Sequence, residues 1–527
     1  MTEPWDVIVV GAGHNGLACA GYLAKAGQRV LVLETRAVAG GGCATAEVTV
    51  PGFTHNLKTN FHGLIHWGPV YRELELERHG ARYVWPENQF AHVFPDGRAL
   101  VCSLSLEETI KSIERFSRRD ARVFADLARS YREALEQAII PSLFAPPRPP
   151  SEEFAAMEQS VEGLRELWGA FTTPDHLSRE LFDSAEVQTW IGFWVAQLAG
   201  TGDMFGLGAN YPVMLAGSLE PFGWALAVGG SQTLAQAMVR FVEEHGGHVR
   251  VGATVRQIEV QGDRAVAVRL DDGERIEGRT IVSNLDPRVT FLEMVGEGEL
   301  DGAFARAVRR WRYDSISMFC VYLALDRPVQ WKSAEFEPKV ARCFAVSMCD
   351  DLQQLEDSAS DCRLGMTPRT PGLFSVHPSL FEPQLAPAGK EACFVEQIAP
   401  YELREGDWDD HREPYAETVL SRWSEYALGL EAEKVLGRYI AGPIDIERVT
   451  PSMRRGDWNH GEMSQDQMGI FRPFFEYPPY RTAFENVYVC GASTHPGGSI
   501  SGACGRNAAG AICEDLAIQR WWGEVYA

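Results

Sequence analysis

The sequence predicts an α/β fold, α+β overall: a parallel-stranded domain assembled from three separated segments, with a second domain of mixed sheet and helices inserted between them. Three observations predict it. The chain opens on an apolar run, a glycine-spaced turn, a helical stretch and a second apolar run. A helix, a strand, a meander and a returning strand follow Gly229. A short apolar strand, a glycine-rich loop and a helix close the chain from Asn486. They assign 1–75, 225–300 and 480–527 to the first domain, and 76–224 and 301–479 to the second.

The opening element is the most specific. Asp6–Val10 runs straight into Gly11, Ala12, Gly13, His14, Asn15 and Gly16, and ~20 residues later Val30–Leu33 ends on Glu34, the order of a Rossmann-like βαβ dinucleotide site. Gly11 permits the tight turn. Gly13 lets backbone approach a pyrophosphate, and Gly16 lets helix pack on strand. The pyrophosphate would rest on the N-terminus of the helix beginning near His14 and Asn15, where free N–H groups favour negative charge. Glu34 is placed to accept hydrogen bonds from a ribose diol.

The later elements follow in order. Thr35, Arg36 and Gly40-Gly41-Gly42 come directly after Glu34. Residues 100–190 read as helical, with apolar spacing of three and four over Glu107–Phe116 and Asp120–Ala138. Pro141–Pro150 reads as a loop. Trp190–Gly217 is apolar but broken by Asp203, glycines and Pro212, so it reads as buried wall and not as a membrane span. Gly229–Gly246 is a helix ended by glycine, followed by strands at 248–251 and 253–260. Two short strands around Asp271-Asp-Gly273 and a separate apolar strand Thr280–Leu285 come next. Residues 300–475 are strand-rich around one helix, Pro414–Leu428. Asn486–Gly491 is a strand, and Ala503–Trp521 a helix.

Composition bounds the classes. The 527 residues are 45% hydrophobic and 23% charged, with a net charge of −23. A bulk charge of that sign disfavours nucleic acid and leaves peripheral membrane contact to a local patch. Eleven scattered cysteines without a CxxC pair indicate neither a disulfide framework nor a metal site, and fit buried thiols in a reducing cytoplasm. Homodimerisation stays open.

Three glycine-bearing segments, far apart in sequence, point to FAD as the dinucleotide. The first holds the ADP half. Gly41 and Gly42 line the ribityl and pyrophosphate side. The third, Gly491 to Gly502 with Gly498, Ser499 and Ile500, leads into a helix whose N-terminus would stabilise charge on a reduced ring. NAD enzymes have no need of that third element. No second GxGxxG appears, so electrons would pass between an organic substrate and O2, a quinone or a carrier.

With these motifs, GAGHNGL at Gly11–Leu17, the glycines before Thr45, Gly229-Gly230, Gly252-Ala-Thr-Val255, Cys490-Gly-Ala-Ser-Thr-His-Pro-Gly-Gly and Gly505-Arg-Asn-Ala-Ala, the chain resembles the phytoene-desaturase-like FAD oxidoreductases. Within them it is similar to the branch of pyridine nucleotide-disulphide oxidoreductase domain-containing proteins. The resemblance covers most of the chain. It implies non-covalent FAD, with Val255 beside adenine and Asn284 near the nucleotide, and relatives that desaturate, saturate or isomerise polyenes. Where those relatives often carry Pro in the last motif, this chain has Cys504.

Candidate chemistry centres on four histidines. His55 and His62 flank Asn56–Asn60 where the chain should pass the flavin, with Asn60 and His66 nearby, and His495 lies inside the third glycine loop. His495 is the catalytic candidate; His55, Asn60, His62 and Trp194 are the substrate-pocket candidates. His460 reads as structural. Hydride transfer to flavin N5 needs positioning more than a strong base. The expected activity is therefore dehydrogenation or oxidation of an apolar, unsaturated small molecule. A redox-neutral isomerase, an amine oxidase and a non-catalytic flavoprotein are the alternatives.

Overall fold

The computed structural model describes residues 3–197, 201 and 204–525. Val7–Val10, in strand Trp5–Val10, and Val30–Leu33 are continuous apolar runs because each is covered on both faces, as central parallel strands must be. They pair in parallel, Val7 opposite Val30. Val30–Leu33 in turn pairs with His248–Arg250, and Trp5–Val10 with Arg275–Ser283. Val255–Gln261 and Arg264–Leu270 extend the sheet as an antiparallel meander. Val487–Val489 lies parallel to Ile281–Ser283 on the other side.

Arg275–Ser283 is one strand of nine residues, not a short meander strand followed by a separate one at Thr280. Its first residues carry the antiparallel ladder, and from Gly278 onward it pairs with Trp5–Val10. Gly278 makes the change possible, since a β-carbon there would stand 2.7 Å from the Ile8 side chain.

Helices His14–Lys25, Gln232–Glu244 and Ala503–Asp515 cover one face of this sheet. The last ends at Asp515, earlier than expected. The chain turns at Ala517, φ 54°, and brings Trp521 back to stack on Tyr22, with its indole N–H on the Tyr22 carbonyl at 3.0 Å.

The second sheet runs Val435–Ala441, Ile316–Leu325, Glu391–Pro400, Leu373–Val376, Cys343–Met348, Asn88–Val93, Ala99–Ser103, mostly antiparallel. Its last two strands lie in or next to the region read as helical. Helices Leu106–Glu114 and Arg118–Ala134 then begin where Ser105 and Ser117 accept hydrogen bonds from Glu108 N–H and Asp120 N–H. Pro150 opens the helix Pro150–Met157, where a missing N–H costs nothing, whereas Pro141 lies in the last turn, Ile140–Leu143, of a helical run that continues from Arg118–Ala134 through the π turn Leu135–Ile139. Residues 300–475 hold several helices besides the expected one: Gly302–Arg310, Leu352–Arg363 and Pro443–Val449. The expected one starts at Trp408 because Asp407 caps it, and it contains Pro414.

Of the apolar stretch 190–217, Ala185–Gln197 and Tyr211–Leu215 are helical and their described side chains largely buried; 198–200 and 202–203 lie outside the described residues. No described helix is long and apolar enough to cross a membrane. All eleven cysteines are buried. His377, Glu391 and Cys393 bring ligand atoms within 4.8 Å of one another in the core. There the His377 ring meets Glu391 at 2.7 Å and Ser375 at 2.9 Å, and Glu391 also accepts Val329 N–H at 2.7 Å. These contacts make a satisfied polar network.

Candidate active site

The first and second glycine segments meet backbone to backbone. Gly13 and Gly40 form a parallel bridge, and Gly40 N–H donates to the Ala12 carbonyl at 2.8 Å. A β-carbon on Gly41 would lie 3.0 Å from Gly13 Cα; one on Gly16 would lie 2.3 Å from the Gly11 carbonyl. Gly11 itself has φ 96°. The Glu34 carboxylate accepts Ala12 N–H at 2.9 Å and Arg36 N–H at 3.0 Å, so it holds the turn that it follows in sequence. Arg36 reaches the Gly41 carbonyl and the Thr450 hydroxyl, each at 3.1 Å. The third segment joins through His14, whose Nε2 donates to the Ser499 carbonyl at 3.0 Å.

A cavity of about 600 Å3 runs from this groove inward, within the range of small-molecule sites. Gly11, Gly13, His14, Asn15, Glu34, Thr35, Arg36, Gly41, Gly42, Val255, Asn284, Ser499 and Ile500 line its outer part, and Asn60 its inner part. The inner chamber has walls of Leu57, Phe61 and Trp224 and a floor supplied by the second sheet. On that floor Phe374, Glu396 and Cys320 form a row across three adjacent strands, with Met318 beside it. Buried oxygens of Asn15 and Asn60 and the Nδ1 of His460, all from residues that line the cavity, have no hydrogen-bond partner among the described residues. Glycine backbone beside a helix N-terminus, unpartnered polar atoms and an apolar inner end fit a dinucleotide whose reactive end enters the chamber.

Other candidates stand behind the lining. Ala12 is held by Glu34. β-carbons on Gly491 and Gly498 would strike the Asn284 carbonyl at 2.6 Å and Asn459 Oδ1 at 1.8 Å, so both serve close packing. His55 bonds Thr49 at 2.9 Å, and burial lowers its pKa to about 4. His62 shares a 2.7 Å hydrogen bond with the Tyr83 hydroxyl, with its pKa lowered to about 3 by burial and then by nearby His66 and His14. Trp194 packs 5.2 Å from Phe374, one layer outside the chamber. His495, the catalytic candidate, leaves its buried Nδ1 without a hydrogen-bond partner among the described residues. Its Nε2 donates to the Ser142 carbonyl at 3.0 Å, and the ring ties the third glycine loop to helix Ile140–Leu143 without lining the cavity. Cys504 has a structural task, donating its thiol to the Gly497 and Thr494 carbonyls at 3.3 and 3.5 Å.

Sequence reasoning missed the chamber's ionisable groups. Burial pushes the Glu396 carboxyl up to about 8 and brings the Lys58 ammonium down to about 8. His460, read as structural, lines the cavity, and burial lowers its pKa to about 4. The available signal for Glu396 was a lone acid on the apolar-facing side of Glu391–Pro400.

Comparison with known proteins agrees with this geometry. The model of the family of flavin containing amine oxidoreductases matches residues 16–376. The chain is 29% identical to a limonene dehydrogenase subunit of Castellaniella defragrans, over 98% of this chain and 96% of that protein. It is 30% identical to pyridine nucleotide-disulfide oxidoreductase domain-containing protein 2 of Rattus norvegicus, over 98% and 94%. An oxidoreductase crystal structure from Methanosarcina mazei shares the fold, with a TM-score of 0.59 at 17% identity over 96% of this chain and 99% of that one. The chain belongs to the flavin containing amine oxidoreductase family and is an FAD-dependent oxidoreductase.

Proposed function

We propose that the protein dehydrogenates an apolar, unsaturated organic molecule in the inner chamber and passes the electrons to O2, a quinone or a carrier. The observation that carries this reading is the continuity of the cavity. The glycine-lined groove opens into a chamber walled by Leu57, Phe61, Trp224, Met318 and Phe374. The chemistry FAD supplies when bound is acceptance of a hydride at N5.

The chain's own residues do the rest. Apolar walls remove the substrate from water at roughly 25 cal/mol per Å2 and fix its orientation, which is what hydride transfer most requires. Phe61 is itself fixed by edge contacts to Phe90, Trp224 and Phe374 at 5.4–6.3 Å, so the wall is rigid. Limonene, the compound in one relative's name, is an apolar cyclic diene and belongs to the class that such walls admit.

The test is anaerobic mixing of the yellow protein with limonene, a longer polyene and a primary amine while the flavin band is followed. Bleaching by the hydrocarbons supports the reading. Bleaching by the amine alone makes the protein an amine oxidase. Conversion without bleaching makes it an isomerase, and inertness toward all three removes the proposed activity.

A further inference from the structure

The cavity is lined by three carboxylates, and their circumstances differ. Glu34 is engaged by the Ala12 and Arg36 N–H groups. Glu293 pairs with Arg454 at 2.6 Å. Glu396 has neither arrangement. Among the described residues its polar contact is the Cys320 thiol, at 3.8 Å. Strand Glu391–Pro400 alternates so that Cys393 and Val395 enter the core behind the sheet while Phe394 and Glu396 face the chamber side. Glu396 stands opposite Cys320 on one side and Phe374 on the other, with Met318–Ile398 and Tyr322–Phe394 on the neighbouring rungs. It is a lone acid set in an apolar floor.

Lys58 lines the same cavity. Its ammonium reaches the Ile446 carbonyl at 3.5 Å, and it has no carboxylate within ion-pair distance among the described residues. A carboxyl in apolar surroundings without a cation stays uncharged and becomes a hydrogen-bond donor. An uncharged carboxyl on the chamber floor is complementary to an acceptor oxygen. A pure hydrocarbon would leave the Glu396 carboxyl unsatisfied, and a cationic amine would meet the Lys58 ammonium in the same cavity.

We propose that the floor of the chamber is an oxygen-recognition subsite, in which the Glu396 carboxyl donates a hydrogen bond to the single uncharged oxygen of an otherwise apolar substrate. The proposal rests on the chamber being the substrate site. It narrows the favoured substrates, within the apolar unsaturated class, to those that carry one ketone, aldehyde or alcohol oxygen, with hydrocarbons bound more weakly.

The experiment uses the FAD-loaded protein and four rings of equal size: cyclohexanone, cyclohexane, cyclohexylamine and cyclohexanecarboxylate. Binding is read as a shift of the flavin absorption band without bleaching, so the result stands whether or not any hydrocarbon reduces the flavin. Cyclohexanone should bind about ten-fold tighter than cyclohexane, the scale of one retained hydrogen bond. Glu396→Gln, which keeps an N–H donor, should hold that preference within about three-fold. Glu396→Leu should erase it while cyclohexane binding stays within about three-fold of wild type. The proposal fails if the ketone binds no tighter than cyclohexane, if no ring shifts the band, if the preference survives in Glu396→Leu, or if the amine or the carboxylate binds tightest.

Discussion

Gly505 lies against Asn15 so closely that a β-carbon on it would stand 2.0 Å from the Asn15 carbonyl oxygen. The C-terminal helix thus rests on the start of the helix that follows the opening glycine loop, and the two nearest atoms, the Asn15 oxygen and the Cys19 nitrogen, are backbone. Gly505→Ala should displace the start of that helix. The expected result is a loss of about 1–3 kcal/mol in stability, as for other overpacked sites, together with loss of FAD. Flavin content and Tm measured on one preparation check this; a fully loaded variant with wild-type Tm would contradict it.

Gly13→Val should abolish FAD retention. A β-carbon there already meets Asn284 Nδ2 at 2.8 Å, and two further methyl groups would fill the backbone approach to the pyrophosphate. Glu34→Ala should weaken FAD binding by about 1–3 kcal/mol, since it removes the acceptor of two backbone N–H groups as well as the acceptor expected for the ribose. Equilibrium dilution of the loaded proteins, with free flavin read by fluorescence, measures both. Retention equal to wild type would refute the respective assignment.

His495→Ala should lower Tm and FAD content together and reduce turnover only in proportion to lost FAD. The ring's Nε2 donates to the Ser142 carbonyl and so ties the loop to helix Ile140–Leu143. A fully loaded variant with turnover down ten-fold or more would restore a catalytic role for it.

Glu396 should also leave a signature in the pH dependence of stability. Its carboxyl rises from an ordinary 4.5 to about 8 in the folded chain. Between these values the unfolded chain has released a proton that the folded chain keeps, so the stability it contributes is full below 4.5 and is lost as pH rises toward 8. The Tm of Glu396→Gln, measured without flavin, should therefore gain on wild type from pH 5 to pH 8. Lys58 titrates near the top of the same window, so the comparison is repeated in a Lys58→Met background. A gap that does not change with pH would contradict the unpaired carboxyl in apolar surroundings.

The nucleotide groove was legible because each of its glycines answers a local demand that fixes spacing: a turn at Gly11, a close approach at Gly13, a helix contact at Gly16. Strands Asn88–Val93 and Ala99–Ser103 were not. Asn88, Gln89 and His92 look like exposed positions, but the sheet buries them, with Gln89 on the Pro86 carbonyl and His92 on Ser347. The histidines near the glycine loops were found by sequence distance, which says nothing of direction. His62, His55 and His495 each turn to a partner outside the cavity. Glu396 and Lys58 were invisible as a pair, because only the register of three strands and the fold of the loop after Asn56 bring them to one chamber.

The most direct test of the central claim, that three separated segments close around one FAD, is acid or heat precipitation of the purified protein with the released cofactor identified and counted. The account predicts one intact FAD per chain in the supernatant and none on the precipitated polypeptide. Flavin that stays with the polypeptide, or NAD in place of flavin, would contradict it.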